Sequence, residues 1–142
     1  MKTKFMLLAA AVTLSGCNSV DNIPNPGPEQ EKAAQLAYED LRDGKYEEFL
    51  GQLEPQLQTQ FKDNEKLMKR FSRSIPQGEY KSKTLMTKQI EQASGTQPGQ
   101  YKVSYEIAYP HNLVQYDVSF DQPNGSNKIR NFNIQVFGES TQ

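Results

Sequence analysis

The chain has 142 residues, enough for one domain of ordinary size. Its 16 basic and 17 acidic groups leave a net charge of -1, which removes the electrostatic reason to expect nucleic acid as a partner. With 35% hydrophobic and 23% charged residues, it has the make-up of a chain that buries a core, and disorder throughout is excluded.

The first 16 residues read as an export signal. Lys2 and Lys4 precede an apolar run from Phe5 to Leu14, whose 10 residues are half of the roughly 20 that a membrane-spanning helix needs. The run closes on Leu14-Ser15-Gly16-Cys17, which resembles the bacterial lipobox. The resemblance implies that Cys17 receives a diacylglyceryl thioether, that residues 1-16 are cut away, and that the new amino group is acylated, with palmitate as a usual chain. Several acyl chains hold a protein on a bilayer durably where one does so only marginally. Processing would leave 14 basic against 17 acidic groups, a mature charge of -3. In lipoprotein sorting of the Gram-negative kind, Asp after the lipidated Cys retains a protein at the inner membrane. Asn18 therefore implies the outer membrane, periplasmic face. Cys17 is the only cysteine, so no disulfide is expected.

Residues 17-28 follow as a Pro-rich tether carrying Pro24, Pro26, Gly27 and Pro28. At about 3.1 Å per residue, Asn18 to Pro28 would hold a domain up to roughly 30 Å from the lipid. The globular domain is expected over residues 29-142. Ala34, Ala37, Tyr38 and Leu41 recur at helical spacing, and Gly44 follows as a stop. Tyr46, Phe49, Leu50 and Leu53 begin a second helix, stopped or bent at Glu54-Pro55, with Leu57 and Phe61 beyond the break. A third helix with Asp63 or Asn64 as N-cap buries Leu67, Met68 and Phe71 and ends before Pro76. After Gly78 the period changes to two. Tyr101 to Tyr109, Val114 to Phe120 and Phe132 to Val136 alternate as strands with one buried face. Residues 122-127 form a hairpin turn. Tyr80 to Ala93 is a further strand, and the adjacent Leu85 and Met86 call for a bulge.

Helices ahead of antiparallel strands predict an α+β fold, N-terminal helices packed on a curved four-stranded antiparallel sheet. The stretch "AAQLAYEDLRDGKYEEFLGQL", a helix, an Asp-Gly-Lys-Tyr break and a second helix, resembles the opening of nuclear transport factor 2-like (cystatin-like) domains. The similarity extends over about residues 29 to 138. It implies a cone whose mouth can hold a ligand, and enzymes of the ketosteroid isomerase kind use an Asp base with a Tyr on this fold. In this chain Tyr101, Tyr105, Tyr109 and Tyr116 share one parity, and Glu106 and Asp117 have the other. The acids and the phenols therefore face opposite sides. His111 is the only histidine, and no metal or cofactor motif accompanies it.

Two non-catalytic surfaces remain. The four tyrosines either fill the core or line a pocket for a hydrophobic ligand or glycan. From Glu29 to Glu54 eight acidic residues face three basic ones, and from Lys62 to Lys88 the ratio inverts. If the third helix and first strand lie side by side, Lys66, Lys69, Arg70, Arg73, Lys81 and Lys83 form one basic flank, suited to an anionic envelope polymer or an acidic partner. The bland alternative is compensation by the acidic helices. The expectation is a lipid-anchored, non-enzymatic binding or accessory protein of the bacterial envelope, with a ligand carrier and an isomerase-like enzyme as alternatives.

Overall fold

The computed structural model describes residues 22-138. The export signal, Cys17, positions 17-21 of the tether and positions 139-142 lie outside the described residues. Four helices precede four strands: α1 (Pro28–Arg42), α2 (Tyr46–Gly51), α3 (Pro55–Lys62), α4 (Glu65–Ser74), β1 (Ser82–Glu91), β2 (Gln100–Ala108), β3 (Asn112–Phe120) and β4 (Asn131–Gly138). The strands form one antiparallel sheet in the order β1-β2-β3-β4. No described helix is long and apolar enough to cross a membrane.

Local chemistry explains the boundaries. Pro28 opens α1, with Glu29 and Glu31 in the first turn against the helix dipole. The chain leaves α1 through Gly44, whose φ of +76° few other residues adopt cheaply. The break at Glu54-Pro55 is complete, because Leu53 leaves the helix to bridge Ile129 and Pro55 starts α3 afresh. Asn64 caps α4 by accepting from the Leu67 amide at 3.2 Å. In β1 the register slips between Leu85 and Thr87, which places the expected bulge at Met86.

The helices cover one face of the sheet. Tyr101, Val103, Tyr105 and Ile107 of β2 and Val114, Tyr116, Val118 and Phe120 of β3 are buried against Ala33, Ala34, Ala37, Tyr38 and Leu41 of α1. Each large side chain removed from water in this way contributes about 1.5–3 kcal/mol. A second part of the core is aromatic: Phe49 of α2 meets Phe61 and Phe132 edge-on at 5.8 and 5.4 Å, and Phe71 of α4 lies 5.2 Å from Phe132.

The end of the expected tether is part of the domain. Ile23 is only 5% exposed and joins the core, Pro26 and Gly27 are buried, and the Tyr101 hydroxyl donates to the Pro24 carbonyl. Buried Gln30 then clamps α1 to the β3–β4 loop. Its amide donates to the carbonyls of Gln122 (2.9 Å) and Ser126 (3.1 Å), and its oxygen accepts from the Gly27 and Asn124 amides at 3.1 and 3.2 Å. The globular unit therefore begins ahead of residue 29, with Ile23 already in its core.

Candidate functional site

Alternation along β2 and β3 sends all four candidate tyrosines to the helix-covered face, where packing closes over them. Tyr101, Tyr105, Tyr109 and Tyr116 are each 7% exposed or less. The Tyr116 hydroxyl donates to the Ala34 carbonyl at 2.9 Å, and Tyr109 and Tyr38 share a hydrogen bond at 2.7 Å. With Tyr101 committed to Pro24, only the Tyr105 hydroxyl is buried without a partner. The ring of Tyr105 stacks on Tyr116 at 6.2 Å and carries the Lys83 ammonium 5.3 Å above it. A cavity of about 10 Å³ remains beside it, between Ala34, Tyr38, Tyr80 and Ile107. That space holds about one water molecule, far short of the roughly 300 Å³ of a ligand site. The expected ligand-facing cone is thus filled by α1, and the tyrosines act as core.

Burial raises these phenols above their ordinary acidity. Tyr101 is pushed up to about 12 by loss of solvent and then by the Glu31 charge. Tyr38, Tyr105, Tyr109 and Tyr116 are raised as well, in each case first by burial. Above about pH 10 the unfolded chain loses protons that the fold retains, so stability present below that pH is lost as pH rises, by about 1.4 kcal/mol per pH unit for each such group. Alkaline unfolding is expected to coincide with ionisation of these five buried tyrosines in one cooperative step. Gradual ionisation of all seven tyrosines with the fold intact would contradict this.

The hydroxyls also separate by sign. Tyr116→Phe is expected to cost about 1 kcal/mol, whereas Tyr105→Phe leaves stability unchanged or raises it, because it deletes an unsatisfied buried group. Urea denaturation of both variants measures the difference. An equal loss in both would mean that Tyr105 has a partner.

The basic residues do not form a single flank. Lys66, Lys69, Arg70 and Arg73 are exposed on α4, which packs on α1 and α3 and reaches Phe132 of β4. Lys81 precedes β1 and Lys83 lies in it, at the opposite edge of the sheet. Among the described residues the four ion pairs are Arg42–Asp43, Lys69–Glu65, Lys102–Glu91 and Arg130–Glu54, none of which joins α4 to the acidic residues of α1. The α4 group alone stays a coherent cationic surface.

The opposite sheet face was not singled out in the sequence. The helices leave it uncovered, and it carries two shallow grooves. One, of about 220 Å³, is lined by Met86, Thr87, Ser104, Glu106, Leu113 and Phe137, and Met86 and Phe137 are each 50% exposed. The other, of about 190 Å³, is polar, with Lys102, Asp117, Ser119, Asn131 and Asn133. There Asp117 accepts from Ser104 at 2.5 Å, so this carboxylate serves the strand pair. His111 is exposed in the turn between β2 and β3. The sequence did hold a signal: Leu113 and Phe137 are apolar residues at positions of polar parity. No protein-family model matches the chain, and neither a curated protein nor a solved structure matches it.

Proposed function

We propose that the chain is a lipid-anchored binding or accessory domain of the bacterial envelope, tied through Cys17 to the outer membrane on its periplasmic side, with a nuclear transport factor 2-like body and no catalytic role. The observation that carries the binding role is the uncovered sheet face with its exposed Met86, Leu113 and Phe137. A contiguous exposed apolar patch on a small domain costs solubility and is kept where a partner covers it. The helix, Asp-Gly-Lys-Tyr break and second helix ahead of four antiparallel strands support the finer fold reading. The closed tyrosine layer favours contact through the surface over carriage of a ligand inside.

The test is the intact mass of the native polypeptide extracted from membranes. A chain beginning at Cys17 and carrying diacylglycerol and a further acyl group supports the reading. An unmodified thiol, or a chain that keeps residues 1-16, refutes it.

A further inference from the structure

The two edges of the sheet are not equally protected. At one, β1 carries a bulge at Met86 together with Lys83, Lys88 and Glu91, devices that discourage another strand from pairing. At the other, β4 reads Asn-Phe-Asn-Ile-Gln-Val-Phe-Gly, with no charge, no proline and an unbroken register against β3. The free groups on that edge follow from the turn between β2 and β3. The Tyr109 amide donates to the Asn112 carbonyl at 2.8 Å, which makes 109 and 112 a hydrogen-bonded pair. Alternation along β2–β3 then assigns the even positions of β3 to β2 and its odd positions to β4. The Arg130 amide donating to the Ser119 carbonyl agrees. Through the β3–β4 register, Asn131, Asn133, Gln135 and Phe137 face β3, so the amides and carbonyls of Ile134 and Val136 and the carbonyl of Phe132 point away from the sheet, while the Phe132 amide donates to Asn131 Oδ1 at 3.0 Å.

A second observation fixes the chemistry of what would pair there. Phe71 seats α4 5.2 Å from the Phe132 ring, so the exposed Lys66, Lys69, Arg70 and Arg73 belong to the helix at this same edge, with Glu65 as the one acidic residue on it. A helix is about 10 Å across, so its charges act on an added strand within about one screening length. A second copy of the chain would place two such cationic helices on the same side of the joined sheet.

We infer that β4 is a docking edge for an extended segment of a partner protein, added as a fifth strand, whose flanking Asp or Glu residues meet the cations of α4. The backbone groups supply affinity, and the helix selects an acidic sequence. This rests on the binding-domain reading above but not on its lipid.

The experiment pans a random dodecapeptide display library against the full-length chain in detergent. Enriched peptides are expected to alternate β-branched or aromatic residues and to carry Asp or Glu at one end. A selected peptide, made synthetically, should protect β4 amides from hydrogen exchange. Val136→Pro removes an outward amide at an edge position that tolerates proline, and the exposed pair Lys66→Glu and Arg70→Glu reverses the helix charge. Each variant should weaken that peptide at least tenfold. Selection of no such peptide class, or binding indifferent to the charge reversal, overturns the inference. So does a dimer in sedimentation equilibrium that Val136→Pro dissociates. A correctly lipidated chain that selects no acidic strand removes this inference alone.

Discussion

Phe49→Ala is expected to destabilise the domain by about 3–5 kcal/mol, the range for deleting a fully enclosed aromatic ring. Phe49 is 1% exposed, although its helix has only six residues and little stability of its own. That helix is held by its side chain. The ring meets Phe61 of α3 at 5.8 Å with planes at 89°, and Phe132 of β4 at 5.4 Å with planes at 85°. Phe61 and Phe132 in turn contact Phe71 of α4. Removal of Phe49 therefore leaves a void where three helices meet the sheet. Domains of this size hold about 5–15 kcal/mol in all, so the loss takes a large share. Urea unfolding should show a lower midpoint with a similar slope, and Phe49→Leu should recover part of it. A loss below about 1 kcal/mol would mean that the site collapses freely and that the cluster does not tie α2 to the sheet.

Cys17→Ala is expected to abolish acylation and, where the leader is removed, to leave the protein without a hold on the membrane. Each buried methylene of an acyl chain contributes about 0.8 kcal/mol, and one chain already gives weak partition, so two or three together bind almost irreversibly. Alanine cannot form the thioether, and the whole of that term vanishes in one substitution. Labelling with a palmitate analogue followed by fractionation should show the parent chain labelled and sedimenting with membranes. The variant should be unlabelled and either soluble or left with its leader uncut. A variant that sediments like the parent after the leader is removed would show that the domain binds membrane by another route.

Periodicity carried most of the fold. The change from helical spacing before Gly78 to alternation after it separated helices from strands, and the adjacent Leu85 and Met86 foretold the bulge. What periodicity missed were contacts between distant positions. Nothing near Gln30 announces its bonds to Gln122 and Ser126, 92 and 96 residues away, and nothing in a run of prolines announces that Pro24 accepts from Tyr101. The same limit explains the tyrosines and the cations. Parity put the four phenols on one face, but whether that face opens or closes depends on how near α1 approaches. Charge counting found the basic stretch, but sequence adjacency of α4 and β1 did not make them neighbours, because α4 packs beneath the far edge. The uncovered face was partly legible, since Leu113 and Phe137 break the alternation that Gln115, Asp117 and Asn133 keep.

With a lipid at Cys17, the seating of Ile23 would set the posture of the body above a bilayer. Six residue steps separate it from Cys17, a leash of roughly 20 Å at full stretch. Ile23 and Pro24 sit where β2 begins and β3 ends, so that pole, with the loops after β1 and β3, must stay near the headgroups once Cys17 is lipidated. Leu113 and Phe137 lie toward the other pole, with Met86 opposite the middle of β2. A lipid at Cys17 would thus stand the sheet on end, offering its greasy tip outward to whatever approaches from the aqueous side.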